Sequence, residues 1–187
     1  MLTMPVSIKP FTVLAFDPGS SHLGIAILDD LLDGSKKIVR HAFTEHLRDT
    51  HPGYTAFADL HGSRQVRLMI LRDTVTNMIR TIRPNAVIVE SNYKGRFVNA
   101  FAALVECVAA CRSALFEVDP FAPLYLVDPT TVKINAGMKK IKGTDKEDVR
   151  RAARARTDIE WWVPLEDLDE HAVDASMIGL YYLTDVV

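Results

Sequence analysis

From Phe11 to Phe16 the chain is an unbroken apolar, β-prone run that stops at the turn formers Asp17, Pro18, Gly19 and Ser20. A second run, His22 to Leu28, ends in a polar stretch holding Asp29, Asp30, Asp33, Gly34 and Ser35, and a third lies around Ile38 to Phe43. Three strands joined by short turns predict an antiparallel meander. Residues 47–62 have mixed polarity and include Pro52 and Gly53, which reads as a loop.

The period then changes. Val66, Met69, Ile70, Val75, Met78, Ile79 and Ile82 recur at helical spacing until Pro84. Ala86 to Val89 is a short all-apolar strand closed by Glu90, the pattern of a strand buried on both faces. A helix apolar nearly all round follows from Val98 to Phe116, then a short strand from Leu124 to Val127. Asp128 and Pro129 make an N-cap and first position for a short helix through Lys133. Thr144 with Glu147 forms a capping box opening a basic helix to about Arg156, and Pro164 precedes a last helix from Leu168 to Leu183. The order β-β-β-α-β-α-β-α-α shows no repeat and no low-complexity linker. It predicts a single mixed α/β domain over residues 1–187, with five strands in all.

Composition narrows the setting. The formal charge of −2 and 48% hydrophobic residues exclude disordered and fibrous classes and supply no global attraction to phosphate. That total hides two districts. Residues 133–156 hold nine basic and three acidic residues, a balance of +6, whereas the rest holds thirteen basic and twenty-one acidic, or −8. Nucleic acid is therefore admitted through one basic face, with strong salt dependence. Cys107 and Cys111 have no further cysteine or histidine nearby, which favours core or interface packing over zinc and suits a reducing cytosol. No apolar stretch has signal-peptide or membrane-spanning length, so a cytoplasmic location is expected, in the host cytoplasm if the chain is virus-encoded. Trp161 and Trp162 are expected to pack under the last helix. Neither of the glycines preceding the lysine-rich stretch leads into a Walker A pattern.

Four side chains at element ends carry candidate chemistry: Asp17 after the first strand, Glu90 after the fourth, and His171 with Asp174 three apart on one face of the last helix. If the first and fourth strands are neighbours, their C-terminal ends bring the carboxylates together, where open α/β sheets place ligands. Clustered carboxylates repel unless a cation sits among them, and such hard oxygen donors suit Mg²⁺ or Mn²⁺. Two such ions, about 4 Å apart, promote phosphodiester hydrolysis. Each residue also has a simpler use: Asp17 as turn former, Glu90 as a polar strand end, His171 and Asp174 as residues of a helix's first half.

The segments VLAFDPGSSHLGIAI (Val13–Ile27), AVIVESNY (Ala86–Tyr93), PTTVK (Pro129–Lys133) with Lys146 beyond it, and HAVD (His171–Asp174) resemble, in order, the RuvC-type Holliday junction resolvases of the ribonuclease H-like superfamily. The resemblance covers most of the chain. It implies a ribonuclease H-like fold, in which a five-stranded mixed sheet of the antiparallel meander plus two parallel strands is flanked by helices, and a homodimer that resolves four-way DNA junctions by paired nicks with two Mg²⁺ ions, Mn²⁺ substituting. Asp17 would bridge the ions, with Glu90, His171 and Asp174 completing their shell. Many relatives carry aspartate at the position of His171, which leaves the balance between Mg²⁺ and Mn²⁺ open here. Tyr93 matches the family's wedge aromatic and would stack on an unpaired base, with Lys94 and Arg96 beside it on phosphates. Lys133 and Lys146 match phosphate-binding lysines. The segment between them is about two residues longer than in typical relatives, and Lys139, Lys140 and Lys142 on it, with Arg150 beyond, read as DNA contacts or as a solvated face. A broader flap and fork nuclease and a non-cleaving junction binder are the alternatives. An actin-like ATPase shares the Asp-x-Gly turn but needs two such lobes.

Overall fold

Burial on both faces of Val13–Phe16, Ile25–Leu28 and Ala86–Val89 decides the architecture, because both sides of the sheet centre must be covered. The computed structural model describes residues 9–91, 98–138 and 146–187, excluding the Lys146 side chain. β1 (Phe11–Pro18), β2 (His22–Asp30) and β3 (Lys37–His46) form the expected antiparallel meander. After α1 (Thr55–His61) and α2 (Ser63–Ile82), β4 (Ala86–Glu90) pairs parallel to β1, and α3 (Val98–Val118) leads into β5 (Leu124–Val127), parallel to β4. α4 (Pro129–Asn135), α5 (Lys146–Ala155), β6 (Ile159–Trp161), a 3₁₀ turn at Leu165–Asp167 and α6 (Glu170–Asp185) complete the described chain.

The sheet has six strands in the order β5-β4-β1-β2-β3-β6, one more than the sequence pattern predicts. The extra strand, β6, runs parallel to β3 over only three residues, too few to display a period. Trp161 lies on it, partly buried against the α6 side of the core, while Trp162 is 57% exposed and donates its indole N–H to Glu160 Oε1 at 2.8 Å. Only the first of the two tryptophans packs as expected. Helix α1 corrects the loop expected over residues 47–62; it buries none of its residues, so no apolar stripe announced it.

Val13 and Ala15 of β1 face a core completed by α6, while Leu14 and Phe16 face α2 and α3. In β4, Ala86 and Ile88 take the α6 side and Val87 and Val89 the other. Continuing each alternation sends Asp17 and Glu90 toward α6. Helix α2 stops where Arg83 turns left-handed (φ 51°), its N–H reaching Ile79 O at 2.9 Å, immediately before Pro84. Cys107 and Cys111 are free thiols on the buried face of α3. Val98, Val105 and Phe116 of the same helix lie exposed. Among the described residues, no helix is long and apolar enough to cross a membrane.

Candidate active site

Phe16 of β1 pairs with Val89 of β4 in parallel register, so the next residues, Asp17 and Glu90, stand side by side at the strand ends. The turn after Asp17 is held from four directions. Gly19 N donates to His22 O at 2.8 Å, Leu47 N to Ser21 O at 2.9 Å, Arg67 Nε to Ser20 O at 2.8 Å, and the Cys107 thiol to Gly19 O at 3.6 Å. This fixes where the β1 carboxylate emerges.

Helix α6 delivers the other two groups. Asp169 caps it, its Oδ1 accepting from Ala172 N at 3.0 Å and from Thr44 Oγ1 of β3 at 2.5 Å. The helix start can approach the sheet closely because Gly24 faces it. A Cβ on Gly24 would fall 2.2 Å from the His171 carbonyl oxygen. With the helix seated there, His171 Nδ1 lies 2.9 Å from Asp17 Oδ2 and His171 Nε2 lies 3.8 Å from Glu170 Oε1. Asp17 also shares a hydrogen bond with Glu90. Asp17, Glu90, His171 and Asp174 all line one cavity of about 480 Å³.

The electrostatics are those of acids crowded out of water. Burial raises the Glu90 carboxyl well above the usual carboxylate range, and the Asp17 hydrogen bond and charge add to the effect. Asp174 is pushed up to about 7, by burial first and then by the charge of Asp17. His171 is raised because its hydrogen bond to Asp17 favours the imidazolium, against an opposing burial effect. Lys133, near the end of α4, pulls both Glu90 and Asp174 downward. Asp128 sets that helix, accepting from Thr130 N at 2.7 Å with Pro129 at the first position.

Among the described residues, no group of three or more acidic, histidine or cysteine side chains is arranged to hold a metal ion as it stands. The donors bond to one another instead. The donor set nonetheless fits a divalent cation: carboxyls kept neutral by burial and mutual repulsion are the groups a cation would let ionise, and one imidazole beside three carboxyls suits Mg²⁺ or Mn²⁺.

The remaining expectations divide. Lys133 stands at the site. Arg150, expected on DNA, donates from its guanidinium to the carbonyls of Leu165 and Glu166 at 3.3 Å and of Leu168 at 2.6 Å, clamping the segment that leads into α6. Tyr93, Lys94, Arg96, Lys139, Lys140 and Lys142 lie outside the described residues, as does the side chain of Lys146. The candidate residues left out His22, His46, Asp169 and Glu170, which line a neighbouring cavity of about 360 Å³ together with His171 and Asp174. His22 had a visible cue, two positions before Gly24 on the same strand face. His46 had none.

No protein-family model matches the chain, and no curated protein matches it significantly. Solved structures do. RuvC of Thermus thermophilus superposes with a TM-score of 0.66 at 22% identity, over 92% of this chain and 93% of that one. T. thermophilus RuvC in complex with Holliday junction substrate gives 0.62 at 20% identity, over 92% of each chain. The yeast mitochondrial Holliday junction resolvase Ydc2 gives 0.60 at 14% identity, over 95% of this chain and 80% of that one. The resemblance carried by the motifs therefore holds at the level of the fold, which is ribonuclease H-like.

Proposed function

We propose that the protein is a divalent-metal-dependent endonuclease that resolves four-way DNA junctions by phosphodiester hydrolysis, with two Mg²⁺ ions at work and Mn²⁺ able to replace them. The observation that carries this reading is the meeting of Asp17, Glu90, His171 and Asp174 around one cavity at adjacent parallel strand ends, in a fold shared with a resolvase solved on its junction substrate. Asp17, hydrogen-bonded to both Glu90 and His171, occupies the centre, and it would hold the ions together with Glu90, His171 and Asp174. The chemistry that divalent ions would supply there is a water of lowered pKa and positive charge beside the phosphodiester.

The protein's own groups do the rest. Burial keeps water from solvating Glu90 and Asp174 and raises the pKa of both, so a positive charge beside them favours the loss of their protons. Lys133 limits the local negative charge and presents an ammonium to an incoming phosphate. Tyr93 is assigned to base stacking, Lys94 and Arg96 to the adjacent phosphates, and Lys139, Lys140, Lys142 and Lys146 to the basic face. Paired nicks need two sites, and the exposed apolar residues of α3 offer a surface for a homodimer in the cytoplasm.

The test is cleavage of labelled four-way junction, flap and linear duplex in Mg²⁺, Mn²⁺ or EDTA. Symmetric paired nicks in the junction, lost in EDTA and in Asp17→Asn, are expected. Preference for flaps would reassign the enzyme to branched DNA at large. Tight binding without product in either metal would make it a binding protein, and native-rate cleavage by Asp17→Asn would overturn the site.

A further inference from the structure

A row of three imidazoles lies beside the site, along the strand ends that carry the start of α6. His22 opens β2 and His46 closes β3, and the two are direct cross-strand partners. Their rings meet edge to face, with centroids 4.9 Å apart and planes at 74°. The His22 ring then lies almost parallel to that of His171, with centroids 5.1 Å apart and planes 12° from coplanar orientation. Ser21 Oγ, 3.0 Å from His22 Nδ1, restrains the middle ring in turn.

His171 is thus held in two ways. Its bond to Asp17 fixes where Nδ1 sits but leaves the ring free to rock about that contact. A flat neighbour against the ring face removes the rocking. The two contacts also differ in what a cation does to them: an ion entering among these donors competes for the Asp17–His171 bond, whereas the stack occupies no donor atom and persists. Groups that orient a ligating histidine influence metal affinity and rate by about 10–100-fold.

We propose that His22 is a positioning residue for the reaction, its ring stacking on His171 to hold that imidazole in the plane required for metal binding, with His46 backing the stack. The inference rests on the reading of this site as a metal-dependent nuclease. It assigns His22 no contact with DNA and no proton transfer. What matters is a planar face, and not a nitrogen.

His22→Leu and His22→Phe separate those possibilities, because leucine fills space without a plane and phenylalanine keeps the plane without a nitrogen. Four measurements apply to each protein: single-turnover junction cleavage at saturating Mn²⁺, the Mn²⁺ concentration giving half-maximal rate, junction affinity in Ca²⁺, and melting temperature. His22→Leu should lose about 10-fold or more in rate and need correspondingly more Mn²⁺, with junction affinity and melting temperature close to native. His22→Phe should recover most of both losses. Native behaviour of His22→Leu overturns the inference, and so does a His22→Phe protein as impaired as His22→Leu. Should His22→Leu fail to fold, His46→Leu must show the same shift in Mn²⁺ requirement to a smaller degree, and an unshifted requirement overturns the inference. If the folded native protein cuts no junction, the proposed function fails separately. Mn²⁺ affinity by calorimetry on the same proteins then still decides the stack, native and His22→Phe binding more tightly than His22→Leu if it is right.

Discussion

Replacing Gly24 with alanine measures how closely the first turn of α6 must sit on the sheet. The added Cβ falls 2.2 Å from the His171 carbonyl oxygen and 2.7 Å from its carbonyl carbon, with Asp17 Cβ at 3.2 Å. Carbon and carbonyl oxygen come to rest at roughly 3.3 Å, so one partner must retreat by about 1 Å. Strand β2 is hydrogen-bonded on both edges, to β1 and β3, and the obstructing atoms are helix backbone. The helix start is the part that can move. Overpacking of this kind costs about 1–3 kcal/mol, and misplacing reacting groups by about 1 Å costs about 100-fold in rate.

Gly24→Ala should therefore lower the urea midpoint, reduce single-turnover junction cleavage by about 100-fold and weaken stabilisation by Mn²⁺ in thermal melts. Gly179→Ala is the control. Its Cβ would meet Leu28 Cδ1 at 2.2 Å and Ala15 Cβ at 3.2 Å, but the nearer atom is the far end of a side chain. The substitution also gains about 1 kcal/mol of helix propensity. It should cost less stability and leave cleavage within about threefold of native, well short of the loss from a misplaced site. A Gly24→Ala protein with a native midpoint and native rate would refute the claim that the missing Cβ sets the seat of α6.

Without metal, stability should fall as pH rises. Asp174, at about 7 when folded against an ordinary 3.8, favours the folded state fully below pH 4 and loses that contribution as pH climbs through about 7; at about 1.4 kcal/mol per unit the loss is a few kcal/mol at most. The raised Glu90 and His171 act in the same direction, so urea midpoints in EDTA that do not change between pH 5 and pH 8 would contradict the electrostatics described. Asp174→Asn should flatten the decline. Arg150→Met should cost about 1–3 kcal/mol by leaving carbonyls without a charged donor, while the salt dependence of junction binding stays native; a shallower salt slope would return Arg150 to the DNA face. Phe116→Glu, on the exposed face of α3, should shift sedimentation from dimer to monomer, and an unchanged dimer would place the interface elsewhere.

The candidate site was legible in the sequence because its residues sit where patterns end. Asp17 and Glu90 each follow an apolar run, and the i,i+3 spacing of His171 and Asp174 needs only helix geometry to bring them to one face. What stayed hidden depends on contacts between distant segments. A charge count shows Arg150 only as part of a basic stretch, and nothing local shows that its guanidinium donates to backbone carbonyls more than a dozen residues later. Strand β6 exists because Lys37 N donates to Asp158 O at 3.0 Å and Trp162 N to Val39 O at 3.0 Å, and no local run of residues encodes that pairing.

The histidine row shows why even a correct strand assignment can miss a site. Strict alternation from Val39, which faces α6, would place His41, Phe43 and Glu45 on that face. The β2–β3 register slips between Ile27 and Leu28, so that Ile27 opposes His41 and Leu28 opposes Val39, leaving Arg40 as the extra residue. Beyond that bulge the parity reverses. Ala42, Thr44 and His46 now oppose Ala26, Gly24 and His22, and Phe43 is left exposed. One inserted residue thereby brings the Thr44 hydroxyl to the α6 cap at Asp169 and the His46 ring against His22. Deleting Arg40 should remove the bulge yet leave Ala42, Thr44 and His46 opposite Ala26, Gly24 and His22, because the deleted residue is the unpaired one. Retained metal-stimulated cleavage in a folded deletion protein is the expected result, and its loss would show that the bulge itself, beyond the pairing it sets, is needed to seat α6.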